Sequence, residues 1–220
     1  EPEAWQRAEQ AAQHQNPSAR DLFRGAVRST TIKTTLVCAL GLSAWWLFLF
    51  WHPQHFRRIL TADHVPPPEI LRLVSLSFLL VNTTAIAGNF AGGWLARRLG
   101  NPRAIAIMFA GLGVGIVGAF IVPRSFGEMA WFWCPVVGFF SGVFGLFTMY
   151  LPPLFPTLLR TTGAGFCYNI GRTAAAAASI VFGWLAPVGD FRAALLVSSL
   201  LAFAAALAAI SLPADEKGAS

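Results

Sequence analysis

Six stretches of this chain are each long and apolar enough to cross a lipid bilayer, and that pattern constrains everything else the chain can do. A hydrocarbon core about 30 Å thick requires roughly 20 mostly apolar residues in helical form. Residues 34–51, 70–95, 104–122, 129–151, 162–187 and 193–212 meet that length. Only 12% of the 220 residues are charged, 55% are hydrophobic, and mean hydropathy is +0.58. A soluble domain carries about 25% charged residues, so this chain has too little charge to cover a globular surface and lipid is its solvent. The expected fold is an all-α membrane protein. Residues 1–31 form a cytoplasmic linker with a short surface helix over 4–15, residues 32–212 a six-helix bundle, and residues 213–220 a cytoplasmic tail.

The connections are rich in proline, glycine and arginine. His52 to Pro68 ends in three prolines, Arg97 to Arg103 is basic, and Pro123 to Glu128 makes a short turn. Pro152, Pro153 and Pro156 break the chain before Arg160, and Pro187 to Asp190 makes the last connection.

Net charge is +6, but the basic residues fall in short clusters between apolar runs. That distribution sets membrane orientation and is not a nucleic-acid surface. With both termini inside, the inner side receives Arg7, Arg20, Arg24, Arg28, Lys33, Arg97, Arg98, Arg103, Arg160 and Lys217. The outer side receives Arg57, Arg58, Arg72, Arg124 and Arg192. Ten against five favours cytoplasmic termini. Trp51, Trp131, Trp133 and Trp184 then fall near the outer interface and Trp94 near the inner one, as an aromatic belt. His52 and His55 are expected at headgroup level.

Glycines at four-residue spacing mark where helices touch: Gly88 and Gly92, Gly111 and Gly115, Gly138 and Gly142. Without a hydrophobic drive between helices in lipid, small residues allow close backbone approach.

Arg172 is the sharpest chemical signal. It lies about ten residues into the fifth span, and a guanidinium there costs about 2.5–3.5 kcal/mol on insertion scales. Such a residue faces a cavity or a partner, or snorkels to the interface. Gly165, Asn169, Arg172, Ala176 and Ser179 share one helical face, with Tyr168 beside it, and this stripe is expected to face inward. Ser75, Asn82 and Asn89 recur at seven-residue intervals on the second span. They either line a cavity or bond between helices, since lipid-facing amides would be unsatisfied. Trp45 and Trp46 lie near mid-span and serve as cavity lining or as core filling.

No Asp or Glu lies deep in any span, so a titrating acid would have to come from elsewhere in the protein. The three cysteines (Cys38, Cys134, Cys167) have no metal spacing, and no zinc motif occurs. Ser141 has no histidine placed to activate it. No enzyme activity, cofactor or metal is expected. The chain opens at Glu1 with no visible signal peptide and reads as a piece of a longer protein.

Two motifs carry a family resemblance. Gly93 to Gly100 (GWLARRLG) followed by Arg103 is similar to the basic loop between the second and third helices of a half in the major facilitator superfamily. Tyr150 to Pro156 (YLPPLFP), then Arg160 to Gly163 and Gly165 to Arg172 (GFCYNIGR), resembles the loop and fifth helix of its sugar-porter-like and organic-acid members. Arg97 stands where that family has Asp, and Pro153 where it has Glu, so inner gating would rest on packing. Pro2 to Trp5 resembles the segment after the sixth helix of a full transporter.

The resemblance implies the C-terminal half of a twelve-helix carrier, its six helices forming two inverted three-helix repeats. An N-terminal six-helix half would be the partner, with substrate held between the halves. It also implies a cytoplasmic gate loop of Gly93, Arg97, Arg98, Gly100, Arg103 and Arg160. The expected function is secondary transport of a small polar solute, an organic or sugar acid if Arg172 binds it, in a bacterial inner membrane. Proton coupling would run through the other half. A non-transporting helper that assembles with another membrane protein is the alternative.

Overall fold

The computed structural model describes residues 18–185 and 191–213, which are helical throughout and contain no strand. The surface helix expected over 4–15, the Pro187–Asp190 turn, the segment at Pro2 to Trp5 and the tail from residue 214 lie outside the described residues.

Six helices follow one another: α1 Val27–Ala62, α2 Pro67–Leu99, α3 Asn101–Phe120, α4 Phe126–Tyr150, α5 Arg160–Leu185 and α6 Phe191–Ile210. Five of them are long and apolar enough to cross a membrane, and α5 is the exception. Its 26 residues are sufficient in length. Asn169, Arg172 and four glycines lower its hydropathy, so the helix that falls short is the one carrying the guanidinium.

The first element departs most from expectation. The apolar run ends at Trp51, yet α1 continues for 36 residues, through Pro53 to Ala62. At 1.5 Å per residue that is about 54 Å, well beyond the hydrocarbon core. Pro53 removes one backbone hydrogen bond. Packing of Phe56 and Leu60, 0% and 3% exposed, holds the extension against the bundle.

His52 and His55 are accordingly not at headgroup level but buried, at 0% and 8% exposure. His52 Nδ1 lies 3.0 Å from the Phe48 carbonyl oxygen. Its ring stacks on Phe48 at 4.6 Å and meets the edges of Phe56 and Phe78. Trp51 is likewise inside the bundle, stacked on Phe191 at 5.4 Å, and does not belong to the outer belt. Trp94, Trp131 and Trp184 are exposed, as a belt requires.

The helices pair in a regular way. α1 packs on α5 and α4 packs on α2; α1 packs on α6 and α4 on α3; α3 packs on α6. Exchanging α1–α3 with α4–α6 leaves this list unchanged.

Glycines make these contacts close. A Cβ on Gly88 would collide with the Phe139 backbone, and one on Gly142 with the backbone of Gly88 and Asn89. Gly138 stands against Val81 and Thr84 in the same way, so α2 and α4 touch main chain to main chain. Gly111 lies under Phe140, and Gly115 against Val136 and Val137. Gly92 has only ordinary contacts, with Leu146 and Met108.

α4 is irregular near its start. Ser125 caps it, its hydroxyl accepting from the Glu128 backbone N–H while its own N–H donates to the Glu128 carboxylate. A π-helical turn over Met129–Trp133 then precedes Pro135, which cannot donate a helical hydrogen bond. Before α1, a short helical turn over Ala19–Phe23 is capped by Ser18. The Ser18 N–H donates to Asp21 and holds its carboxyl below the usual carboxylate range.

Candidate functional site

α5 has two contrasting faces. Gly163, Cys167, Gly171 and Ala175, at four-residue spacing, are buried. This edge packs on α1: a Cβ on Gly171 would press on Cys38 and Leu42, and Thr35 donates to the Cys167 sulfur at 3.3 Å. Asn169, Arg172 and Ala176 are exposed, with Gly165 and Ser179 half-buried. The polar stripe expected to face inward is therefore turned away from the core of these six helices. The physical reason is that glycine, alanine and cysteine allow α1 to come close, and that contact claims the opposite face.

The exposed face does not open onto featureless surface. Trp46 of α1 and Arg172, Ala175, Ala176 and Ser179 of α5 line one cleft of about 200 Å³. Among the described residues no carboxylate pairs with Arg172. A guanidinium facing hydrocarbon is costly, so a helix that exposes one halfway along its length turns that face to a polar cavity or to another protein segment. The Ser179 hydroxyl donates to the Ala175 carbonyl at 3.0 Å, leaving its oxygen able to accept.

Of the other candidates, Tyr168 and Asn169 share the exposed side of α5 without lining this cleft. The Asn169 amide donates to the Gly165 carbonyl at 2.8 Å. Asn82 is exposed on α2 and donates to the Phe78 carbonyl at 2.8 Å, which leaves its amide oxygen outward. Asn89 is exposed as well, with its side-chain oxygen against Gly145 at the α2–α4 contact. These two asparagines are not in the α1–α5 cleft. Trp45 is core filling: it stacks on Phe48 at 5.6 Å and leans on Phe144 of α4. The sequence reading missed Ala175, whose small side chain at the cleft is indistinguishable in sequence from the alanines around it.

The loop joining α2 to α3 is built from the first motif. Arg97 and Arg98 end α2, where cations complement the helix dipole, and the Arg98 guanidinium lies 5.6 Å from the Trp94 ring centre. Gly100 closes the helix at φ +85° and ψ 156°, a conformation reserved for glycine. Gly93 has open space around its Cα. Arg103 is exposed in the first turn of α3. Arg160 starts α5 with its Nε buried and without a hydrogen-bond partner among the described residues.

No family model matches the chain. Among curated proteins, it is 32% identical over 109 residues to the cis,cis-muconate transport protein of Acinetobacter baylyi, which covers 49% of the chain and 26% of that protein. It is 29% identical over 210 residues to the gallate transporter of Pseudomonas putida, covering 93% of the chain and 44% of that protein. The niacin transporter NiaP of Acinetobacter baylyi is 26% identical over 153 residues, covering 66% and 33%. The chain thus spans less than half the length of each of these relatives. The similarities are consistent with the major facilitator resemblance carried by the two motifs. This chain is an integral membrane protein whose relatives are bacterial transport proteins.

Proposed function

We propose that the chain is one six-helix half of a major facilitator carrier that moves a small organic acid across a bacterial inner membrane by alternating access. The single observation that carries this reading is Arg172, an exposed guanidinium in mid-helix that shares an open cleft with an exposed tryptophan. Ligand pockets for small molecules run to about 300–1,000 Å³ and enclose most of their ligand. The α1–α5 cleft is smaller, about 200 Å³, and open. It has the character of one wall, and a second six-helix half supplies the other.

The pairing of α1–α3 with α4–α6 supports two three-helix repeats. Because three spans return the chain on the opposite side, the repeats are inverted, as in carriers that rock around a central site. The Lys and Arg bias supports cytoplasmic termini. The relatives named for muconate, gallate and niacin support an organic acid as cargo. Where transport is driven by protons, the titrating carboxylate belongs to the other half. The departures at Arg97 and Pro153 leave the inner gate of this half to packing.

The test is uptake of muconate, gallate and nicotinate by the full-length protein in proteoliposomes. A hydrogen bond to a charged group contributes about 1.5–3 kcal/mol, so Arg172→Gln is expected to raise KM about 10- to 100-fold. Arg172→Lys, which keeps the charge without the planar fork, is expected to lie between. If Arg172→Gln and Arg172→Lys both transport as well as wild type, the reading fails.

A further inference from the structure

Arg172 bears on the charge of the cargo, whereas the rest of the cleft bears on its body. The argument here rests on the carrier reading above. Trp45 and Trp46 are adjacent in sequence and differ sharply in surroundings. Trp45 is packed between Phe48 and Phe144. Trp46 is 46% exposed and has no ring contact among the described residues.

Ordinarily a half-uncovered indole at mid-span would face lipid. Here it lines the same cleft as Arg172, and a guanidinium excludes hydrocarbon from that cleft. Trp46 therefore presents its ring to whatever occupies the space beside the charge. Across from it stand Ala175 and Ala176, whose methyl groups leave a narrow slot, with Ser179 about 10 Å along the helix axis from Arg172. A wall of indole and a floor of methyl groups suit a flat body better than a puckered one, because an offset-stacked ring keeps its whole face in contact.

We propose that Trp46 is a specificity-determining residue of the carrier. Its indole stacks on the flat face of an acid whose carboxylate is held by Arg172, so the site selects a planar, conjugated acid over a saturated acid of the same charge and carbon skeleton.

Benzoate and cyclohexanecarboxylate differ in little but this, and both are used as competitors of acid uptake by the full-length protein in proteoliposomes. Wild type is inhibited by benzoate at three- to tenfold lower concentration than by cyclohexanecarboxylate. Trp46→Leu and Trp46→Met bring the ratio close to one by weakening benzoate alone, raising KM for flat acids with kcat unchanged. Trp46→Phe and Trp46→Tyr keep the ratio. Comparing Phe with Met decides the matter even if Leu fails to accumulate, since both preserve side-chain bulk.

A wild-type ratio near one, or equal weakening of both acids in Trp46→Met, overturns the inference and leaves the carrier reading standing. Absence of any acid uptake by wild type, or uptake indifferent to Arg172→Gln, overturns the carrier reading and this inference with it.

Discussion

Gly165 and Gly171 lie six residues apart on α5 and answer a question that sequence left open. Both are small, and a small residue in a membrane helix signals close packing without saying which face packs. Gly171 is buried, with Cys38 and Leu42 within 3 Å of any added Cβ, while Gly165 has nothing within 4 Å. Gly171→Ala is expected to destabilise the protein by about 1–3 kcal/mol through overpacking. Gly165→Ala is expected to be neutral or mildly stabilising, because alanine costs less helix entropy. Thermal unfolding in detergent measures both, and equal effects would mean that α5 packs by its other face. Arg172 was legible as a functional residue from its cost in lipid. Its direction was not, since glycine and alanine occur on both sides of the helix. Gly100 is a different case: its left-handed backbone makes Gly100→Ala cost about 1–3 kcal/mol irrespective of packing.

Element by element, the sequence marks helices well where apolar runs are bounded by loops, and poorly where a helix outlasts its apolar run. α2, α3 and α6 start and stop within a few residues of the hydropathy boundaries. α1 does not, because the boundary drawn at His52 and Pro53 assumed that polar residues mean headgroups. Five phenylalanines from four helices (Phe48, Phe56, Phe78, Phe120 and Phe126) surround that part of α1 instead. Such an aromatic lining is assembled from distant positions and has no local signature. The α2–α4 seam is the most glycine-dependent contact. Gly142→Leu places a side chain where the backbone of Gly88 and Asn89 already lies. It is expected to separate the two helices and abolish a stable fold, whereas Gly93→Leu, with open space around it, is expected to be tolerated. Size-exclusion profiles of the detergent-purified variants compare the two; coincident profiles would contradict the close approach.

For the molecule as a whole, the count and order of the helices were legible because bilayer thickness imposes a length on each. Their pairing was not, since exchange of α1–α3 with α4–α6 is a property of contacts between residues far apart in sequence. Orientation rests on charge, and it can be checked directly. The native cysteines are 1%, 3% and 0% exposed at Cys38, Cys134 and Cys167, so they are poorly placed to react with a water-borne maleimide. Arg57 is exposed near the end of α1 and Arg103 at the start of α3, at opposite ends of α2. One membrane-crossing helix separates them, so only one can face the outside. With ten inner and five outer basic residues, Arg57→Cys is expected to label on intact cells with an impermeant maleimide. Arg103→Cys should label only after permeabilisation. The opposite pattern would place both termini outside and turn the Arg97, Arg98 and Arg103 loop to the outer face. Labelling of both on intact cells would mean that α2 does not cross the membrane, and no geometry built on six spans would survive that.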